Sequence, residues 1–176
     1  IDLDKILLDS ELKELVDNCS LCELNKYTKK KFFSKGNLTS KVMIIGDFPS
    51  SDNYDPFAGQ SGKMLVAMCQ NVLKLDPNDV YYTTILKCNV PLSQAVHNDN
   101  INCCKDYFIK QIEIIKPLVI IVFDTQTYKH LNTLNIFDKQ NIVITHSPSF
   151  LLRNPSSKKQ ALQDLEKVKS ILDKGN

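Results

Sequence analysis

Apolar positions along the chain fall into two rhythms. Four short, nearly unbroken runs rich in Val and Ile, "KVMIIGD" (41–47), "DVYYTTILK" (79–87), "PLVIIVFD" (117–124) and "NIVIT" (141–145), predict strands covered on both faces. Between them, apolar residues recur at helical spacing near 61–74, 100–115, 125–133 and 157–173, after a leading helix near 3–17. Strand and helix in alternation predict a three-layer α/β/α fold around a central four-stranded parallel sheet with right-handed crossovers, in one domain spanning 1–176. Such sheets bind ligands beyond the carboxyl ends of their strands. The chemically unusual segments, "GDFPSSDNYDPFAG", "KCNVP" and "HSPSFLLRNP", all follow a strand. The last of these reads as a loop and carries two leucines and the chain's single arginine.

Composition adds limits. A chain of 176 residues with 43% hydrophobic content buries one substantial core and matches no disordered, collagenous or membrane class. No apolar run approaches the roughly 20 residues a spanning helix needs, and no basic-then-apolar leader opens the sequence, so a soluble, cytoplasmic protein without membrane contact is expected. The net charge of +2 is too small to argue for nucleic acid by itself, because polyanion binding depends on where cations cluster. Two clusters exist: Lys29, Lys30 and Lys31 run into two phenylalanines, and Lys158 with Lys159 open the last helix. Taken alone, each reads first as a solvated charged face.

The six cysteines are more informative. Cys69 sits within a helical pattern and reads as a small buried hydrophobe. Cys19 and Cys22 form a CxxC pair, a spacing at which two thiolates chelate one centre, and in a chain without a secretory leader metal or redox work is the expected use. With two distant cysteines the set suits either a zinc ion or an iron–sulfur cluster, and the residues alone leave both open.

Taken in order, CxxC, "GDFP" (46–49), "PFAGQSGKML" (56–65), "LKCNVP" (86–91), "CKDYFIKQIEIIKPLVIIV" (104–122) and "PSFLLRNP" (148–155) resemble the iron–sulfur uracil-DNA glycosylases known as family 4, over about residues 19–170. The resemblance implies the uracil-DNA glycosylase fold and DNA, single-stranded or locally opened, as partner; it names no protein partner. It implies a [4Fe–4S] cluster on Cys19, Cys22, Cys88 and Cys104, with Cys103 a neighbour, tying the segment 1–36 to the loops of the DNA face. By the same resemblance Leu151 and Leu152 become a wedge that fills the space of a flipped nucleotide, while Ser149, Arg153 and Lys158 join Lys29, Lys30 and Lys31 as DNA contacts.

At the catalytic positions the chain departs from the family. Phe57 matches the ring that stacks on the base. The acid of the first turn is Asp47, one methylene shorter, and Ser50 replaces a glycine; Asp52 and Asp55 are candidates for a second acidic position. Thr84 stands where the family carries a base-reading asparagine, and a hydroxyl does not reproduce an amide's paired donor and acceptor. Ser147 occupies the place of the family's histidine and leaves His146 one residue early, which in extended backbone turns the ring to the other side. His97 and His130 read as ordinary surface residues. The expectation is a DNA-binding member whose glycosylase site is degenerate, with uracil excision weak or absent, serving repair, recombination or uptake. The alternative is an active glycosylase removing uracil or another altered base, with Asp47 and His146 as its catalytic pair.

Overall fold

A computed structural model describes residues 2–132 and 140–175. Its centre is a sheet of β1 (Lys35–Gly36), β2 (Val42–Gly46), β3 (Tyr81–Thr84), β4 (Val119–Phe123) and β5 (Asn141–Thr145), in the order β1-β3-β2-β4-β5. Strands β2 to β5 are mutually parallel, as the apolar runs predict. The sheet also has a fifth strand that the four-stranded expectation lacked: β1, two residues long, pairs antiparallel with β3 at the edge. Gly36 makes this closeness possible. Its φ is +119°, and a Cβ there would lie 1.6 Å from the Val80 carbonyl oxygen.

The helices are α1 (Asp9–Asp17), α2 (Gly59–Ala67, continued by a wider turn over Met68–Leu73), α3 (Asn98–Ile115), α4 (Thr125–Asn132), α5 (Pro148–Arg153) and α6 (Lys158–Lys174). The leading helical signal near 3–17 divides into a short turn, Leu3–Lys5, and α1. The predicted helix 125–133 holds as far as Asn132, and residue 133 lies outside the described residues. The segment 148–153, expected as loop, is helical: Pro148 stands in the first turn and the Ser147 hydroxyl accepts the Phe150 amide as N-cap.

Strand alternation sorts the core into two halves. Val42, Ile44, Tyr82, Ile121 and Phe123 face one side and pack on Leu65, Leu73, Leu151, Leu165 and Val168 of the α2, α5 and α6 layer. Met43, Ile45, Tyr81, Ile120 and Val122 face the other and pack on Phe108 and Ile112 of α3 and Leu131 of α4. A smaller cluster, Leu12 and Val16 of α1 with Phe33 and Tyr107, attaches the N-terminal segment to α3. The three-layer α/β/α architecture is thereby complete. Because β2 is followed by β3 on one side and flanked by β4 on the other, the connections diverge at the carboxyl ends of β2 and β4, where a crevice opens.

Candidate functional site

That crevice is a cavity of about 520 Å³, bounded by the residue after each diverging strand, Asp47 and Asp124, and by Phe48, Tyr54, Tyr82, Phe123, Ser147 and Arg153. Asp47 stands open to solvent at the rim, yet its carboxyl is crowded by the wall. Burial of that carboxyl raises its pKa; the Phe48 amide, donating at 2.7 Å, opposes this, and the charge of Asp124 adds to it. Asp124 has a φ of 68°, a left-handed value that few residues other than glycine adopt and that Asp tolerates better than most, with its own amide donating to the Thr145 carbonyl at 2.8 Å. Its carboxylate accepts the Ser147 amide at 2.9 Å and lies 4.0 Å from Nδ1 of His146. Asp124 thus ties the end of β4 to the start of α5.

The two members of the displaced histidine pair have different surroundings. Ser147 is on the cavity wall, its hydroxyl engaged as the cap of α5. His146 is not among the lining residues; its ring stacks on Phe150, with centroids 4.3 Å apart and planes 13° from parallel. Thr84 is fully buried and donates to the Leu86 carbonyl at 2.7 Å, so its hydroxyl belongs to the strand end and not to the cavity wall. Phe57 likewise packs against the α2-side core with Lys35 Nζ 4.9 Å above its ring, and the cavity's aromatic surface comes from Phe48, Tyr54, Tyr82 and Phe123. A Cβ on Gly62 would lie 2.0 Å from the Phe57 carbonyl carbon, which fixes the PF turn against α2.

The expected wedge also divides. Leu151 is 2% exposed and packed in the core, whereas Leu152 is 40% exposed. The reason is helical: in α5 consecutive side chains point about 100° apart, so one leucine faces the sheet and its neighbour faces solvent. Leu151 is therefore a core residue, and Leu152 alone is placed to reach a ligand. Ser149 and Arg153 line the cavity, and the Ser149 hydroxyl meets that of Ser61 at 3.0 Å. Lys158 is exposed at the start of α6. Lys29, Lys30 and Lys31, with Lys13 and Lys35, line a second groove of about 610 Å³ that shares Asn53, Tyr54 and Asp55 with the first cavity. Asp52 accepts the Lys29 amide and Asp55 pairs with Lys35 at 2.8 Å, so both carboxylates are engaged with the basic segment.

At the far side of the strand ends, Cys88 and Cys104 are buried in the α3-side core and Cys22 packs against it, while Cys19 abuts the α1 cluster. Among the described residues no three Cys, His, Asp or Glu side chains converge closely enough to hold a single metal ion. The thiols do act on one another. Burial raises the Cys88 thiol, and the charges of Cys22 and Cys19 add to this; burial pushes Cys104 up to about 12, with Cys88 and Cys22 contributing. Cys103 is less buried and its Sγ rests 3.6 Å from the Leu21 carbonyl, at the edge of the group. Cys19 and Cys22, Cys88, and Cys104 stand on three separate segments, unbridged and within electrostatic reach of one another, and thiolate is the donor type an iron–sulfur centre takes. Lys87, which precedes Cys88 in the chain, is 1% exposed and donates to Thr83 Oγ1 (2.7 Å), the Thr84 carbonyl (2.7 Å) and Gln111 Oε1 (2.6 Å).

Tyr54, Tyr82, Phe48 and Asp124 are site residues that sequence reasoning missed. Asp124 had a signal: it follows β4 as Asp47 follows β2, and the switch point brings those two positions together. Tyr54 and Tyr82 had none, being 28 residues apart and brought into contact by the sheet.

The fold and the cavity define an α/β protein with a crevice open at the switch point of a parallel sheet, beside a short helix bearing an exposed leucine and an arginine. Residues 33–166 match the model of the uracil DNA glycosylase superfamily. The Type-4 uracil-DNA glycosylase of Saccharolobus solfataricus is 31% identical over 180 residues, covering 89% of this chain and 83% of that protein. Those of Sulfurisphaera tokodaii (26% over 184 residues, 92% and 83%) and Pyrobaculum aerophilum (28% over 177 residues, 88% and 90%) are similar along the same span. The chain belongs to the uracil-DNA glycosylase superfamily, within its type-4 family.

Proposed function

We propose that this chain binds DNA on the face carrying the cavity and α5, takes a nucleotide into the cavity, and has weak or no base-excision activity. It serves DNA handling: repair, recombination or uptake. The observation that carries the reading is the exchange at 146–147: the cavity wall holds a capped serine hydroxyl, and the imidazole lies outside it, stacked on Phe150. A missing donor at a developing anion costs about 100- to 1,000-fold in rate. Arg153, Lys158 and Lys29 to Lys31 supply phosphate contacts, and Leu152 fills space left by an extruded base.

Cys19, Cys22, Cys88 and Cys104 would hold a [4Fe–4S] cluster, whose contribution is to cross-link the N-terminal segment to the loop after β3 and to α3. The placement of these thiols around one corner supports this reading.

One observation favours the enzyme instead. Asp47 lies on the cavity wall with a pKa raised by burial, as a general base near a sugar requires. The test separates the two readings. Binding of a labelled single strand should weaken steeply with salt and on Arg153→Ala, while release of uracil from the same strand stays near background. Robust excision by the unmodified protein, abolished by Asp47→Ala or His146→Ala, overturns the reading and establishes a glycosylase.

A further inference from the structure

The inner wall of the cavity is aromatic. Tyr82 lies 6.4 Å from Phe123, and Phe32, from the adjoining basic groove, meets Tyr54 edge-on with centroids 5.0 Å apart. Two polar atoms interrupt this wall, the hydroxyls of Tyr54 and Tyr82, 3.1 Å apart. Tyr82 is 5% exposed, and Gly46 leaves room for its hydroxyl: a Cβ there would lie 2.7 Å from it. Among the described residues neither hydroxyl has any other hydrogen-bond partner. Two phenols bring two protons to one mutual bond, so one proton is left over and is presented to whatever enters. Burial raises the pKa of both phenols and the charge of Asp47 adds to this, with their mutual hydrogen bond opposing it at Tyr54, so both remain donors.

We propose that the Tyr54–Tyr82 hydroxyl pair reads the inserted base, and that with the carboxylates of Asp47 and Asp124 it selects bases whose inner edge is a lactam, a ring carbonyl beside a ring N–H. The spare hydroxyl proton donates to the carbonyl, and a carboxylate accepts from the N–H. Uracil and hypoxanthine, like thymine and guanine, present that edge. Their amino-bearing parents, cytosine and adenine, present the inverse, a donor beside an acceptor, which leaves the hydroxyl proton facing an amino group and the carboxylate facing a lone pair. The cavity volume of about 520 Å³ sets no sharp limit between one ring and two, so the edge, and not ring size, discriminates. The base-reading position taken by an amide elsewhere is thereby moved from Thr84, which points into its own strand end, to a neighbouring residue of the same strand.

This inference rests on the DNA capture proposed above. It is tested with the complete, metal-loaded chain by fluorescence anisotropy on four single-stranded oligonucleotides. They share flanks of cytosine and adenine alone, which lack the lactam edge, and differ only in a central uracil, cytosine, hypoxanthine or adenine. The uracil and hypoxanthine strands should bind about 3- to 10-fold more tightly than the cytosine and adenine strands, the yield of one hydrogen bond made or missed. The double variant Tyr54→Phe/Tyr82→Phe keeps the aromatic wall and removes both hydroxyls. It should bind all four strands within about 2-fold of the wild-type value for cytosine. Salt-sensitive binding that ignores the central base in the wild type overturns this inference and leaves DNA capture standing, as does a preference that persists in the double variant. Absence of DNA binding overturns both.

Discussion

Asp47 illustrates how a cavity wall and stability oppose each other at a single residue. Its carboxyl has a folded pKa above the ordinary 3.8, so between 3.8 and the folded value the native state holds a proton that the unfolded chain has released. Stability therefore falls as pH rises through that window, and the deficit is complete once the pH has passed the folded value. Asp47→Asn should raise the Tm at pH 7, and the difference from wild type should vanish below pH 3.8, which thermal melts across pH will check. The sequence identified Asp47 because the strand and its turn are local. It could not identify the register of His146 against Phe150 or the inward turn of Thr84, since each depends on what lies opposite in space. Tyr82 was legible only as an apolar strand residue; its hydroxyl acquires meaning from Tyr54, which another loop supplies.

Among the elements, α5 departs most from its sequence reading. Six residues are too few to establish a period, although Ser147 followed by Pro148 is a helix-start signal. Once the segment is helical, its two leucines must differ. Leu151→Ala should cost about 2–5 kcal/mol of stability, as buried Leu truncations do, with DNA affinity preserved in whatever fraction stays folded. Leu152→Ala should leave the denaturation midpoint within experimental error and weaken DNA binding. Urea titration beside anisotropy separates the pair, and equal behaviour of the two variants would show that α5 is not the helix described. The long strands were legible because Val and Ile runs buried on both faces admit few other conformations. The two-residue β1 was not, because it exists through Gly36 and its approach to Val80.

At the scale of the molecule, the α/β/α layering follows from alternation, whereas the joining of N-terminal segment to sheet does not. That joint relies on a small apolar cluster around Leu12, Val16, Phe33 and Tyr107 and on the cysteine corner. Protein purified without oxygen should carry about four irons per chain and absorb broadly in the visible. Cys88→Ser should lose that iron and expose α1 to proteolysis while Cys69→Ser retains it; stoichiometric zinc in place of iron would contradict the cluster. The buried Lys87 has a practical consequence for following such transitions. Its amine is walled in by Thr83, the Thr84 carbonyl and Gln111, so a water-borne acylating reagent reaches it only when β3 and α3 separate. The exposed lysines acylate at once and give the background. Delayed mass gain at Lys87 then clocks, in a single peptide, how often the protein's interior opens.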